Sequence, residues 1–249
     1  MISDPFFYFC AIPAVLIFGL SKGGFGGGIN VVSVPLIALS VSPPQAAGIL
    51  LPILCVMDLL ALRKFWGSWD KANLRIMIPA SIVGIVLGTF LFSHLSEAYV
   101  RLLIGLLAVG FGLNHWRQGN SQTKTSVSRI KGSFWSVVAG FTSFGIHAGT
   151  PPLNVYLLPQ KLSPAIYMGT STLLFTVINY FKLIPYFWLG QLHVGNLSTS
   201  LALLLLAPIG VGMGYYLHHK ISPILFYKLI NIFLIVTGAK LTYDGLMGI

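Results

Sequence analysis

The sequence predicts an all-α, polytopic integral membrane protein made of two inverted repeats, each a Gly-broken, re-entrant helical hairpin followed by three transmembrane helices. Three observations predict it. Of the 249 residues, 55% are hydrophobic and only 8% are charged, against about 25% charged in a water-soluble domain. Residues 23–57, 132–160 and 183–219 contain no Asp, Glu, Lys or Arg, and a bilayer span needs only about 20 apolar residues. Finally, residues 18–62 laid on 139–183, a constant offset of 121, match at ten of 45 positions, where background frequencies give about three.

Taken in order, apolar segments fall at 5–20, 29–41, 45–62, 76–93 and 98–114, and again at 132–145, 151–160, 166–186, 197–217 and 223–241. The polar stretch between the sets divides the chain into an N-terminal repeat (1–114), a linker (115–131) and a C-terminal repeat (132–249). The matched positions carry structural punctuation: Gly19 with Gly140, Gly24 with Gly145, Gly28 with Gly149, Ser42-Pro43 with Ser163-Pro164, and Gly48 with Gly169. At an offset of 126, Gly84-x3-Gly88 matches Gly210-x3-Gly214, a spacing that lets helices approach closely and that serves internal packing or a homo-oligomer. The first two segments of each half, at 10 to 16 residues, cover half to three-quarters of a roughly 30 Å bilayer core. They read as re-entrant hairpins, with short tilted spans as the alternative.

Short cytoplasmic loops collect Lys and Arg. With the 63–75 loop and the 115–131 linker inside, eleven bases lie inside and two, Arg101 and Lys240, outside. The counterpart of the basic 63–75 loop is 187–196, which has no base and falls outside, so equivalent loops lie on opposite sides and the repeat is inverted. Asp4 precedes the first apolar stretch and no base comes before Lys22, so that stretch is expected to stay in the mature protein. The charges are scattered between apolar runs, which points away from a nucleic-acid partner. Cys10 and Cys55 both lie in apolar stretches, which leaves no disulfide framework and no Cys-based metal site.

The first break, Ser21-Lys22-Gly23-Gly24-Phe25-Gly26-Gly27-Gly28, offers backbone N–H groups to a ligand, with a helix restarting near Asn30 as N-cap. The second runs from Thr142 and Ser143 through His147 and Gly149 to Thr150 and Pro151, where Thr150 is placed to cap and Pro151 to open a half-helix. Two helix N-termini meeting at the midplane make a site for a small anion. Neither break has the Gly-x4-Gly-Lys pattern of a phosphate-binding loop.

Lys22 reads as a charge for that anion, against a side chain snorkelling to headgroups. His147 is the one histidine placed deep in the membrane, a candidate for proton coupling or for neutral packing. Asn179 and Lys182 share a helix face, and Asp58 is the repeat equivalent of Asn179. Asp58 and Lys182 are candidates for lining a path or tying helices together, and Lys182 is expected to snorkel outward. Thr170 and Ser171 offer hydroxyls either to a substrate or back to their own helix. His94, His115, His193, His218 and His219 have no metal-ligand spacing, and no catalytic constellation or cofactor motif is present.

Several of these motifs are shared. Gly19-Leu-Ser-Lys-Gly-Gly-Phe-Gly-Gly-Gly28 with Val34-Pro35-Leu36, Gly140-Phe-Thr-Ser143, His147-Ala-Gly149 with Pro151-Pro152, Tyr156-Leu157-Leu158, Gly169-Thr170-Ser171, and Asn179 with Lys182 and Pro185-Tyr186 together make a chain that resembles the TauE/SafE family of sulfite exporters and related anion permeases. Gly149-Thr150-Pro151 departs from the family's common Gly-Gly-Pro. The resemblance implies a multi-pass permease of the bacterial inner membrane for small sulfur anions such as sulfite, thiosulfate or sulfonates. The expected function is therefore sulfite export by alternating access, with no enzyme activity. Lys22, Gly26, Gly27, Gly28, Asn30, Ser143, His147, Gly149, Thr150, Pro151, Thr170, Ser171 and Asn179 are expected to hold the anion. An anion-selective channel and a subunit of a membrane enzyme are the alternatives.

Overall fold

The computed structural model describes residues 1–25, 29–117, 125–217 and 223–248. Gly26, Gly27 and Gly28, residues 118–124 of the linker, and His218 and His219 lie outside the described residues. The described chain is helical, with no strand: α1 (Pro5–Leu20), α2 (Ser33–Ile37), α3 (Pro43–Lys64), α4 (Lys71–His94), α5 (Glu97–Arg117), α6 (Arg129–Ile146), α7 (Thr150–Leu157), α8 (Pro164–Trp188), α9 (Val194–Leu204), α10 (Leu206–Leu217) and α11 (Pro223–Met247). Local chemistry sets the starts. Asp4 accepts from Phe6 N–H ahead of Pro5, Ser42 from Gln45 N–H ahead of Pro43, and Asp70 from Asn73 N–H, each supplying an acceptor to a helix end that has none of its own.

Three described segments are long and apolar enough to cross a membrane: Pro5–Gly23, Pro43–Lys64 and Lys71–His94. Val194–Leu204 with Leu206–Tyr216 makes a fourth if the pair, bent by 42°, is one span. The sequence suggests one unbroken span over 197–217. The break falls where Pro208 has no N–H for Leu204 and its ring crowds the Leu204 carbonyl. Phe9, Val83, Phe90, Leu201 and Leu205 point outward, as side chains facing lipid must. The interior, by contrast, holds Asn30, Ser33, Asp58, Asn73, His147, Asn179 and Lys182.

The two hairpins are less even than the sequence suggests. α1 continues through a π-helical turn, Ser21–Phe25, so the first arm reaches Gly23 and is about 28 Å long. α6 absorbs Arg129 and Lys131 and has 18 residues. The second arms are short: a 3-10 turn, Ile29–Val32, with the five residues of α2, and the eight residues of α7. Each hairpin thus pairs one span-length arm with one stub, in place of two short pieces.

The helices pack crosswise between the halves. α1 lies on α10 and α6 on α4, while the repeat-equivalent pairs α3 with α8 and α5 with α11 pack on each other. Gly48 of α3 meets the Gln191 carbonyl beyond α8, and its repeat partner Gly169 of α8 meets the Ser68 carbonyl beyond α3. The Gly-x3-Gly faces are spent inside: Gly84 and Gly88 receive α6, and Gly210 and Gly214 receive α1. That use removes them as an oligomer surface. A Cβ on Gly19 would lie 2.7 Å from the Cα of Gly210, whereas one on Gly212 would meet nothing within 4 Å. Gly19→Ala is therefore expected to lose about 1–3 kcal/mol through overpacking, read as a lower unfolding temperature in detergent. Gly212→Ala should not lower that temperature, since Ala is the better helix former and its Cβ meets open space.

Candidate functional site

The two breaks meet. The wide turn at Ser21–Phe25 aims Lys22 inward, a use to which π-helical turns are often put. At the other break α6 ends on His147, whose φ of 53° is left-handed, a conformation normally left to glycine. His147 N–H bonds the Ser143 carbonyl at 3.1 Å, and Thr142 Oγ1 donates to the Ala148 carbonyl at 2.9 Å. Asn30 Nδ2 donates to the His147 carbonyl at 3.2 Å, joining one break to the other. Asn30 is therefore not an N-cap: α2 starts at Ser33 behind Val32, with no side-chain cap bond. Thr150 does not cap either, because α7 begins on it with Gly149 as the preceding cap residue and prolines in its first turn.

Lys22, Asn30, Ser143, His147, Thr150, Ser171 and Asn179 line one cavity, closed by Phe18, Ser21, Met168, Thr172 and Phe175. Its volume is about 40 Å³, suited to a small ion or a few waters and far too small for a nucleotide. Three expected residues, Thr170, Gly149 and Pro151, do not line it. Thr170 Oγ1 accepts from Asp70 N–H at 2.9 Å and ties α8 to the start of α4. Gly149 lets Phe175 and Ser143 approach, since a Cβ there would lie 2.7 Å from the Phe175 ring. Pro151 opens α7 without lining the cavity.

The ionisable groups form a chain. Lys22 Nζ pairs with Asp58 Oδ1 and lies 5.3 Å from the centre of the Phe175 ring. Asn179 Nδ2 donates to Asp58 Oδ2 at 2.6 Å, so the two residues 121 apart in sequence touch. Asp58 itself has no exposure. The place of Lys182 near the end of α8 predicts that it snorkels outward. It is fully buried instead, donating to the Ser143 carbonyl at 2.9 Å, Ser143 Oγ at 3.1 Å and His147 Nδ1 at 2.6 Å. Snorkelling fails because this face of α8 packs against α6 and the aliphatic stem leads inward. His147 Nε2 lies 3.0 Å from the Ala47 carbonyl. A carbonyl can only accept, so Nε2 carries the ring proton and Nδ1 accepts from Lys182. With a neutral imidazole and both amines protonated, Lys22, Lys182 and Asp58 sum to one positive charge beside the cavity, of which Lys22 alone lines it.

Ser171 Oγ lines the cavity buried and with no hydrogen-bond partner among the described residues, and such a group costs about 1–3 kcal/mol unless something bonds it. The sequence reading missed Phe18, Ser21, Met168, Thr172 and Phe175, yet a signal existed. Met168, Ser171, Thr172, Phe175, Asn179 and Lys182 follow one another at steps of three, one, three, four and three, a single helical stripe.

A family model for the sulfite exporter TauE/SafE matches residues 11–241. No curated protein and no solved structure matches the chain. The chain belongs to the TauE/SafE family, whose members are membrane transporters of the anion and sulfite exporter class.

Removing one partner of a buried ion pair strands the other charge at about 3–5 kcal/mol, whereas replacing both with apolar residues is often neutral. Asp58→Leu is expected to lose stability on that scale in detergent, and Lys22→Met/Asp58→Leu to recover at least half. Equal losses in the single and double variants would show that the pairing is not what holds these helices.

Proposed function

We propose that this member of the TauE/SafE family is a secondary transporter of small sulfur oxyanions, sulfite first among them, working by alternating access around the cavity between the two breaks. The observation that carries the reading is the net positive charge beside a cavity of ion size that also presents an unbonded buried hydroxyl, Ser171. Lys22 gives the anion a direct charge. Thr150 stands at the N-terminus of the eight-residue α7, where the helix dipole favours negative charge, although Pro151 and Pro152 bring no N–H and Leu153 N–H is bonded to the Gly149 carbonyl. Ser143, His147, Ser171, Asn179 and Asn30 complete the polar lining.

The alternating mechanism needs two halves related by a pseudo-twofold axis in the membrane plane. The contact between Asp58 and Asn179, and the exchange of α1 on α10 for α6 on α4, support it. Repeat-equivalent elements that touch one another lie on such an axis. On this reading the repeats are 1–114 and 132–249. The linker 115–131 and the 63–75 loop face the cytoplasm of a bacterial inner membrane, and the 187–196 loop faces out.

Counterflow tests the function. Proteoliposomes preloaded with sulfite should take up labelled sulfite in a saturable manner, with thiosulfate and a sulfonate competing. Lys22→Ala, inserted at wild-type levels, should lose about tenfold or more of the rate, the scale of a charge-assisted hydrogen bond, and His147→Ala, which takes an acceptor from the buried Lys182, should fall as well. Absence of exchange, or full activity in both variants, would overturn the assignment. Single-cysteine labelling tests the inversion: loops 63–75 and 187–196 should react from opposite faces, and labelling from one face would refute it.

A further inference from the structure

Resting on that anion-carrier reading, we infer that Asp58 is the proton-binding site of the transporter, and that a divalent anion and one proton move together as the transported unit. The geometry divides the two carboxylate oxygens between different partners. Oδ1 holds Lys22 Nζ, and Oδ2 holds the Asn179 amide. Lys22 reaches the cavity and Asp58 does not. An anion entering the cavity therefore competes with Asp58 for the same ammonium.

Two negative groups sharing one cation repel each other, and the arrangement settles when one of them takes a proton. With a dianion less basic than a carboxylate, such as thiosulfate, the carboxylate is the group that takes it. When Lys22 turns its N–H groups to the anion, Oδ1 is released and binds a proton from the aqueous side then open. Oδ2 goes on accepting from Asn179, because the carbonyl oxygen of a neutral carboxyl still accepts from an amide, though more weakly than a carboxylate does. Charge then balances: Lys22 and Lys182 oppose the two charges of a divalent anion, with Asp58 and His147 both neutral. When the anion leaves, Lys22 returns to Oδ1 and the proton is released on the same side. The coupling is thus symport and by itself sets no direction.

His147 is less suited to the task, since Nε2 is committed to the Ala47 carbonyl and Nδ1 to Lys182. The other charged or titratable groups acting on Asp58 are Lys22 from the π-helical turn, Cys55 on its own helix, and Lys182 and Tyr180 from α8. Among these groups Lys22 alone is an ion-pair partner.

The test uses purified protein in detergent and thiosulfate, which stays divalent from about pH 6 to about pH 8, so the ligand contributes no proton of its own. Wild-type protein should take up about one proton per thiosulfate bound, read with a pH indicator in weak buffer, and its affinity should fall about tenfold per pH unit as pH rises. In Asp58→Asn, which keeps an acceptor for Asn179 and frees Lys22, proton uptake should vanish and affinity should become independent of pH. Binding by the wild type with no proton uptake would overturn the inference while leaving the anion site intact, and needs no variant to show it. Uptake persisting in Asp58→Asn would assign the proton to another group and overturn it equally. If the wild type binds neither thiosulfate nor sulfite, the anion-carrier reading itself falls and takes this inference with it.

Discussion

An ammonium group sealed inside an apolar body is tolerated only if every N–H finds an acceptor, and around Lys182 that requirement organises the protein. Its three N–H groups go to Ser143 twice and to His147 once. Meeting it demands that α6 end where it does, that His147 adopt a left-handed backbone, and that its ring be fixed by the Ala47 carbonyl of α3. Lys22 poses the same problem on the other side of the cavity and solves it with Asp58. Asp58 in turn recruits Asn179, one turn before Lys182. One buried and one largely buried cation, one carboxylate and one neutral imidazole thereby bind α1, α3, α6 and α8 into a single polar centre.

Such a centre has use for the unequal hairpins. A long first arm, Pro5–Gly23 or α6, leads into each break, and a short second arm follows it. Each long arm then packs on a helix of the other half through glycines at which a side chain would collide with backbone. A carrier needs units that move as bodies, and crosswise packing assigns each hairpin a partner in the opposite half. The cost of leaving backbone unbonded in the membrane is met because the irregular segments lie against one another, as in the bond from Asn30 to His147.

Membrane class, helical content and the place of both breaks were legible in the sequence, because they follow from charge-free runs, glycine clusters and a constant offset. Much of the cavity lining was legible too, since Lys22, Ser143, His147 and Ser171 are polar groups in apolar runs. What sequence could not supply was the partner across a helix interface. The position of Lys182 near a helix end suggests an outward stem, and only the packing of α6 on α8 turns it in. Asn30 has the residue type of a cap, but the 3-10 turn at Ile29–Val32 spends it on a carbonyl 117 residues away. Thr170 and Ser171 are neighbours in sequence, yet successive residues of a helix point about 100° apart, so only the second faces the cavity. The stripe on α8 from Met168 to Lys182 was open to a periodicity reading. The π-helical turn, which no residue type dictates, was not.

The most direct test of the central claim is where an anion sits. Crystals grown with selenite, close in shape to sulfite and visible through selenium's anomalous scattering, would locate it without mutating any residue. The account predicts a single strong peak inside the cavity, with an oxygen in hydrogen-bond reach of Lys22 Nζ and Ser171 Oγ and the ion facing the first turn of α7. Selenium bound elsewhere in the protein, with Lys22 and Ser171 untouched, would contradict it.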